Sequence, residues 1–83
     1  MRPRIVVPEG DLGGIGPEVA LRVIARAEAR AACRPVLLGH RAALQRVAQE
    51  CGIAVELASA PDLEVGFAAA EDPRAPLPVV ELE

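Results

Sequence analysis

Lysine and threonine are absent from these 83 residues, as are tryptophan and tyrosine. There is one histidine, one phenylalanine and one serine. Each shortage excludes something. Without Lys or Thr the G-x-x-x-x-G-K-[ST] phosphate loop cannot be written. All nine cations are Arg, scattered through a chain of net charge -3, with no aromatic among them to stack on a base. That argues against nucleic-acid binding. A catalytic metal commonly takes about three protein ligands, and His40 alone cannot supply them. Cys33 and Cys51 form neither a C-x-x-C pair nor a Cys/His cluster, and read as reduced, small core residues. The longest early apolar run, Ile5-Val6-Val7 before Pro8, is too short for a signal peptide, and nothing later reaches a membrane-spanning length. The expected location is the cytoplasm, with no membrane partner.

What is present is a core-forming composition, 52% hydrophobic. It draws on Ala, Val, Leu and Ile, which bury less area per residue than aromatics do. One small domain, marginal in stability by itself, is the most that this length allows.

The order of segments predicts an α/β fold with a partial parallel or mixed sheet and helical crossovers, in one incomplete domain over 1–83. A first strand covers 4–7, a β-branched run ended by Pro8. A glycine-rich loop covers 8–16. Pro17 then opens a helix over 17–33, where its missing N–H costs nothing, and Pro35 ends it. Ala20, Val23, Ile24, Ala27 and Ala31 make its apolar stripe, and Arg22, Arg26 and Arg30 read as a solvated face. A second strand covers 36–38 and a second helix 41–51, with Leu44, Val47, Ala48 and Cys51 on one side and Gly52 placed to cap its end. A third strand is read at 53–57. The proline-rich stretch 58–78 reads as irregular, and a last strand at 79–82 reads as an open sheet edge. Two helices cannot cover both faces of such a sheet, as though the rest of a larger domain were missing.

The segment Gly10-Asp11-Leu12-Gly13-Gly14-Ile15-Gly16-Pro17-Glu18 stands out. Glycines let the backbone turn tightly and let a ligand approach it. The free N–H groups of the helix that follows favour an anion. Two readings stay open on this chemistry: a phosphate or carboxylate near the loop, or a tight turn with no ligand. A dinucleotide fingerprint fails, because Gly14-Ile15-Gly16 begins G-x-G-x-x-G but Val19 stands where Gly or Ala is required.

This segment resembles the G-D-P-A-G-I-G-P-E signature of the PdxA-type 4-hydroxythreonine-4-phosphate dehydrogenase family, with seven of nine positions matching. Leu12 replaces Pro and Gly13 replaces Ala. The wider isocitrate and isopropylmalate dehydrogenase superfamily carries a related G-D-G-I-G-P-E. Pro35-Val36-Leu37-Leu38-Gly39 and Gly52-Ile53 continue the similarity. The resemblance implies the N-terminal part of an isopropylmalate dehydrogenase-like fold. It also implies an NAD-dependent oxidoreductase of pyridoxal phosphate (pyridoxine) biosynthesis, which oxidises and decarboxylates a phosphorylated hydroxy-amino or hydroxy acid. NAD, a divalent metal (zinc, magnesium or cobalt) and a homodimer come with it. Asp11, Gly14, Ile15 and Gly16 are then part of the wall of the cofactor and substrate cleft. The family's metal histidines and substrate His-Thr pair have no counterpart in this sequence. No residue is therefore assigned a catalytic or metal-binding role, and neither cofactor is expected to bind tightly to this chain alone. The alternatives are a stand-alone phosphate- or nucleotide-binding α/β module without catalysis, or a non-functional remnant.

Overall fold

The computed structural model describes residues 2–8 and 16–81. Strands β1 (Arg4–Pro8), β2 (Arg34–Gly39), β3 (Leu57–Ala60) and β4 (Leu77–Glu81) alternate with helices α1 (Gly16–Ile24), α2 (Ala27–Ala32), α3 (Arg41–Glu50) and α4 (Leu63–Ala69). The strands form one parallel sheet in the order β1-β2-β4-β3. The chain steps across from β1 to β2, passes over one place to β3, and returns to put β4 in the gap. Reversal of direction goes with a change of face, as a uniform hand of crossover requires.

Strand alternation shows the two faces. Leu37 pairs with Val79 in register, and both join Leu77 in a buried cluster with Leu21 and Ile24 of α1 and Leu44 and Ala48 of α3. On the opposite face Val36 and Val80 meet α4 at Gly66, where an added Cβ would lie 3.2 Å from both Val36 methyls. A glycine is what lets that helix sit so close to the sheet. Both faces of β2 and β4 are therefore covered, and Val36, Leu37, Leu77 and Val79 are 0–1% exposed. Burial of this kind contributes about 1.5–3 kcal/mol per side chain. β1, at the end of the sheet, is less protected: Ile5 and Val6 are 43% and 37% exposed. Its Arg4 guanidinium lies over the Phe67 ring of α4, 5.5 Å from the centroid.

Four differences from the sequence reading have physical causes. The helix read over 17–33 is two helices, broken at Ala25–Arg26, where Arg26 is extended (φ -65°, ψ 143°). The break re-aims the second half: Ala27 and Ala31 are exposed, whereas Arg30, read as solvated, is buried; Val23, before the break, is exposed as well. The strand read at 53–57 begins at Leu57. Opposite residues 53–56 the amide of Ala75 is spent in a turn on the Asp72 carbonyl (3.1 Å) and Pro76 has no N–H, so the ladder starts only with the Leu77 N–H on the Glu56 carbonyl (2.8 Å). The stretch 58–78 holds β3 and α4, the helix started by Asp62, whose Oδ1 accepts from the Val65 N–H (2.9 Å). The last strand is central, paired on both sides, and is no edge.

The end of α3 is closed by Gly52, at φ 68°. The Gly52 N–H donates to the Gln49 carbonyl (3.4 Å) and the Ile53 N–H to the Ala48 carbonyl (2.8 Å). This is the paired closure of a Schellman motif, with Ile53 packed on the core behind it.

Candidate functional site

Because all four strands run the same way, their carboxyl ends, Pro8, Gly39, Ala60 and Glu81, open on one edge of the sheet. In open α/β sheets that is the edge where ligands bind. β1 ends there, at Pro8. Asp11, Gly14 and Ile15 lie outside the described residues, and Gly16 is the first residue of α1.

Three elements meet at this edge through Arg41. Its backbone N–H, at the start of α3, donates to Glu81 Oε1 of β4 (3.1 Å), and its Nε donates to Ser59 Oγ of β3 (2.9 Å). His40 occupies the cap position of α3 without capping it by its own side chain; the carboxylate comes from Glu81 instead. A negative group there complements the helix dipole. Among the described residues nothing pairs with the Nη nitrogens of Arg41, and the exposed guanidinium is anchored there at Nε. None of Arg41, Ser59 and Glu81 was marked by the sequence reading. The only signal for them is position, since each stands at or beside the carboxyl end of a strand or the start of a helix.

In the first turn of α1, Glu18 Oε2 accepts from Arg22 Nε (3.1 Å) and Nη2 (3.0 Å). Arg22 also donates to the Cys51 carbonyl (3.0 Å), joining α1 to the end of α3. The Arg22 hydrogen bond, then one from the Cys51 thiol, holds the Glu18 carboxyl below its ordinary value. Burial first, and then Glu18, pushes the Cys51 thiol up, the reverse of what a reactive cysteine requires. Cys33 and Cys51 are free and half-buried, less enclosed than the core residues they were read as.

The described residues do not fit a divalent metal: no three of His, Cys, Asp and Glu come together among them. Nor is any helix among them long and apolar enough to cross a membrane.

No protein-family model matches the chain. It is similar to the 4-hydroxythreonine-4-phosphate dehydrogenase of Trichlorobacter lovleyi, 33% identical over 81 residues, which are 98% of this chain and 23% of that protein. The protein of the same name from Geobacter metallireducens is 38% identical over 56 residues, 68% of this chain and 16% of that protein. The crystal structure of a 4-hydroxythreonine-4-phosphate dehydrogenase from Burkholderia phymatum superposes on the whole chain with a TM-score of 0.70 at 26% identity, over 23% of its own length. The chain thus spans less than a quarter of the relatives it matches.

Proposed function

We propose, from a chain related along nearly its whole length to the 4-hydroxythreonine-4-phosphate dehydrogenase family, that it forms the N-terminal part of such a dehydrogenase. Its task is to wall one side of the cofactor and substrate cleft. The observation that supports this reading is the join of a parallel sheet, open at its carboxyl edge, to the segment Gly10–Glu18 that leads from β1 into α1.

In this reading Gly14 lets a ligand approach the backbone without a Cβ in the way. Gly16 and Pro17 open α1, and the free N–H groups of its first turn, to which Pro17 adds none, are directed to the anionic part of a phosphorylated hydroxy or hydroxy-amino acid. Asp11 and Ile15 complete the wall. Arg41, held by Ser59, adds a positive group at the same edge. NAD, when bound, supplies the hydride acceptor for oxidation of the substrate hydroxyl. The metal ligands and the acid and base that oxidation with decarboxylation requires come from elsewhere in a complete enzyme. The cytoplasm is the compartment, and a homodimer the assembly, that go with this reading.

Two measurements test it. Incubated with NAD, 4-phosphohydroxythreonine and zinc or magnesium, the purified chain is expected to show no NAD reduction. Turnover that is lost on chelation and survives repurification would overturn that part. In a complete enzyme of the family, Gly14→Val is expected to abolish NAD or substrate binding while the melting temperature stays close to wild type. Normal binding by that variant would leave the loop a turn and the cleft assignment wrong.

A further inference from the structure

At the amino edge of the sheet, opposite the ligand edge described above, lies a cavity of about 430 Å³. Arg30 and Arg74 line it together with Glu56 and Ala75. Arg30 is 6% exposed. Its Nη2 donates to the carbonyls of Ala75 (2.9 Å) and Asp72 (3.3 Å), and its Nε is buried with no partner. No carboxylate among the described residues forms an ion pair with it.

Neighbouring charge makes the imbalance larger. The Arg2 guanidinium donates to the backbone carbonyl of Arg30 (2.6 Å). Arg2 and Arg34 share one carboxylate, Glu71, at 3.9 and 3.1 Å, and Arg34 has its own buried, unpartnered Nε. Asp72 Oδ1 is engaged by the backbone N–H of Arg74 (2.9 Å). A purely structural role for Arg30, pinning the turn before β4 by its two carbonyl bonds, accounts for Nη2 and leaves the charge only partly compensated, by Asp72 at more than ion-pair distance. Enclosing an uncompensated charge is costly. Burial, and then Arg2, lower the pKa of Arg30 against a smaller opposing effect of Asp72, which expresses the same cost.

We propose that this cavity is an oxyanion site, in which Arg30 and Arg74 hold a phosphate or a carboxylate group of a small molecule. It is a second site, separate from the cleft proposed for the carboxyl edge, and does not depend on that reading. Glu56 on the wall opposes the anion and limits its affinity; Arg74, exposed and with no side-chain hydrogen bond among the described residues, serves as the adjustable clamp.

The test is a titration of the ¹⁵N-labelled chain with inorganic phosphate, followed by amide NMR, with sodium acetate as a parallel arm at matched ionic strength. Saturable shifts are expected at Val55, Glu56 and Ala75. A response to both anions marks a general oxyanion site, and a response to phosphate alone marks a phosphate site. Arg74→Ala is expected to weaken binding about tenfold, the loss of one charge-assisted hydrogen bond, and Glu56→Gln to strengthen it. Arg30→Met tests the buried partner directly, but its two carbonyl bonds hold the turn, so the exposed Arg74 variant carries the decision. Shifts that never saturate, shifts confined to Arg41, Ser59 and Glu81, or an Arg74→Ala variant with unchanged affinity would each overturn the proposal.

Discussion

Glu81 caps a helix that is 40 residues earlier in the chain: its Oε1 accepts the backbone N–H of Arg41 at 3.1 Å. The same arginine, through Nε, holds Ser59. Two neighbouring strands, β3 and β4, are thereby tied to the start of the helix that precedes both, at the edge where a ligand would lie.

Removing the cap should be measurable. Glu81→Ala is expected to cost about 1 kcal/mol, the usual worth of a helix cap, whereas Glu81→Gln, which keeps an acceptor oxygen, should cost less. The gap between the two variants in thermal melts should narrow in high salt, since only the charge is screened. Equal melting temperatures for all three proteins would mean that the carboxylate does not hold α3.

The Gly52 backbone at φ 68° lies in a region that L residues avoid, and a Cβ there would meet nothing within 4 Å. The cost of Gly52→Ala is therefore conformational rather than steric, about 1 kcal/mol. Gly52→Asn should cost less, because Asn tolerates this conformation better. Urea midpoints with unchanged slopes would check both; an Ala variant as stable as wild type would contradict the closure described for α3.

Gly66 presents the opposite case, a helical glycine with crowded surroundings. Gly66→Val is expected to destabilise by about 1–3 kcal/mol, as overpacking does. In a Val36→Ala background the same change should cost less, because the two methyls at 3.2 Å are gone. A double-mutant cycle reads this coupling; additive costs would show that α4 shifts away freely.

For Glu18 the relevant variable is pH. Its folded pKa is lowered from an ordinary value of 4.5, chiefly by the Arg22 hydrogen bond. A depressed carboxyl contributes stability above its unfolded pKa and loses it as pH falls through the folded one. Wild type should therefore lead Glu18→Gln by a constant margin at neutral pH, and the margin should close below about pH 4.5. A margin that persisted to the lowest pH would mean that Arg22 is not the cause.

Fold class was legible because periodicity and punctuation agree over most of the chain. Pro17, Pro35 and Gly52 each mark an end or a start, and Val36-Leu37-Leu38 has the unbroken apolar character of a strand covered on both faces. Helix α4 was missed although it carries a start signal, Asp62 followed by Glu64 before an Ala-rich run; four prolines in the surrounding stretch outweighed it. The break at Ala25–Arg26 has no local signal, since neither residue is a breaker. It follows from a tertiary demand, the seating of Arg30 against the carbonyls of Asp72 and Ala75. The polar trio at the carboxyl edge was illegible for the same reason. Arg41, Ser59 and Glu81 have unremarkable neighbours in sequence and are brought together only by strand order.

That order also sets a schedule for folding. Among the described residues β3 pairs with no other strand than β4, so until residues 77–81 have been made, 57–60 have no strand to pair with and β2 has one side open. β4 therefore has to join β2 and bring β3 into the sheet with it. Pairing over such long sequence separations slows the search. In refolding experiments the pairing of β1 with β2 should accordingly gain amide-exchange protection before β3 does, and a chain halted at Pro76 should keep β3 unprotected throughout.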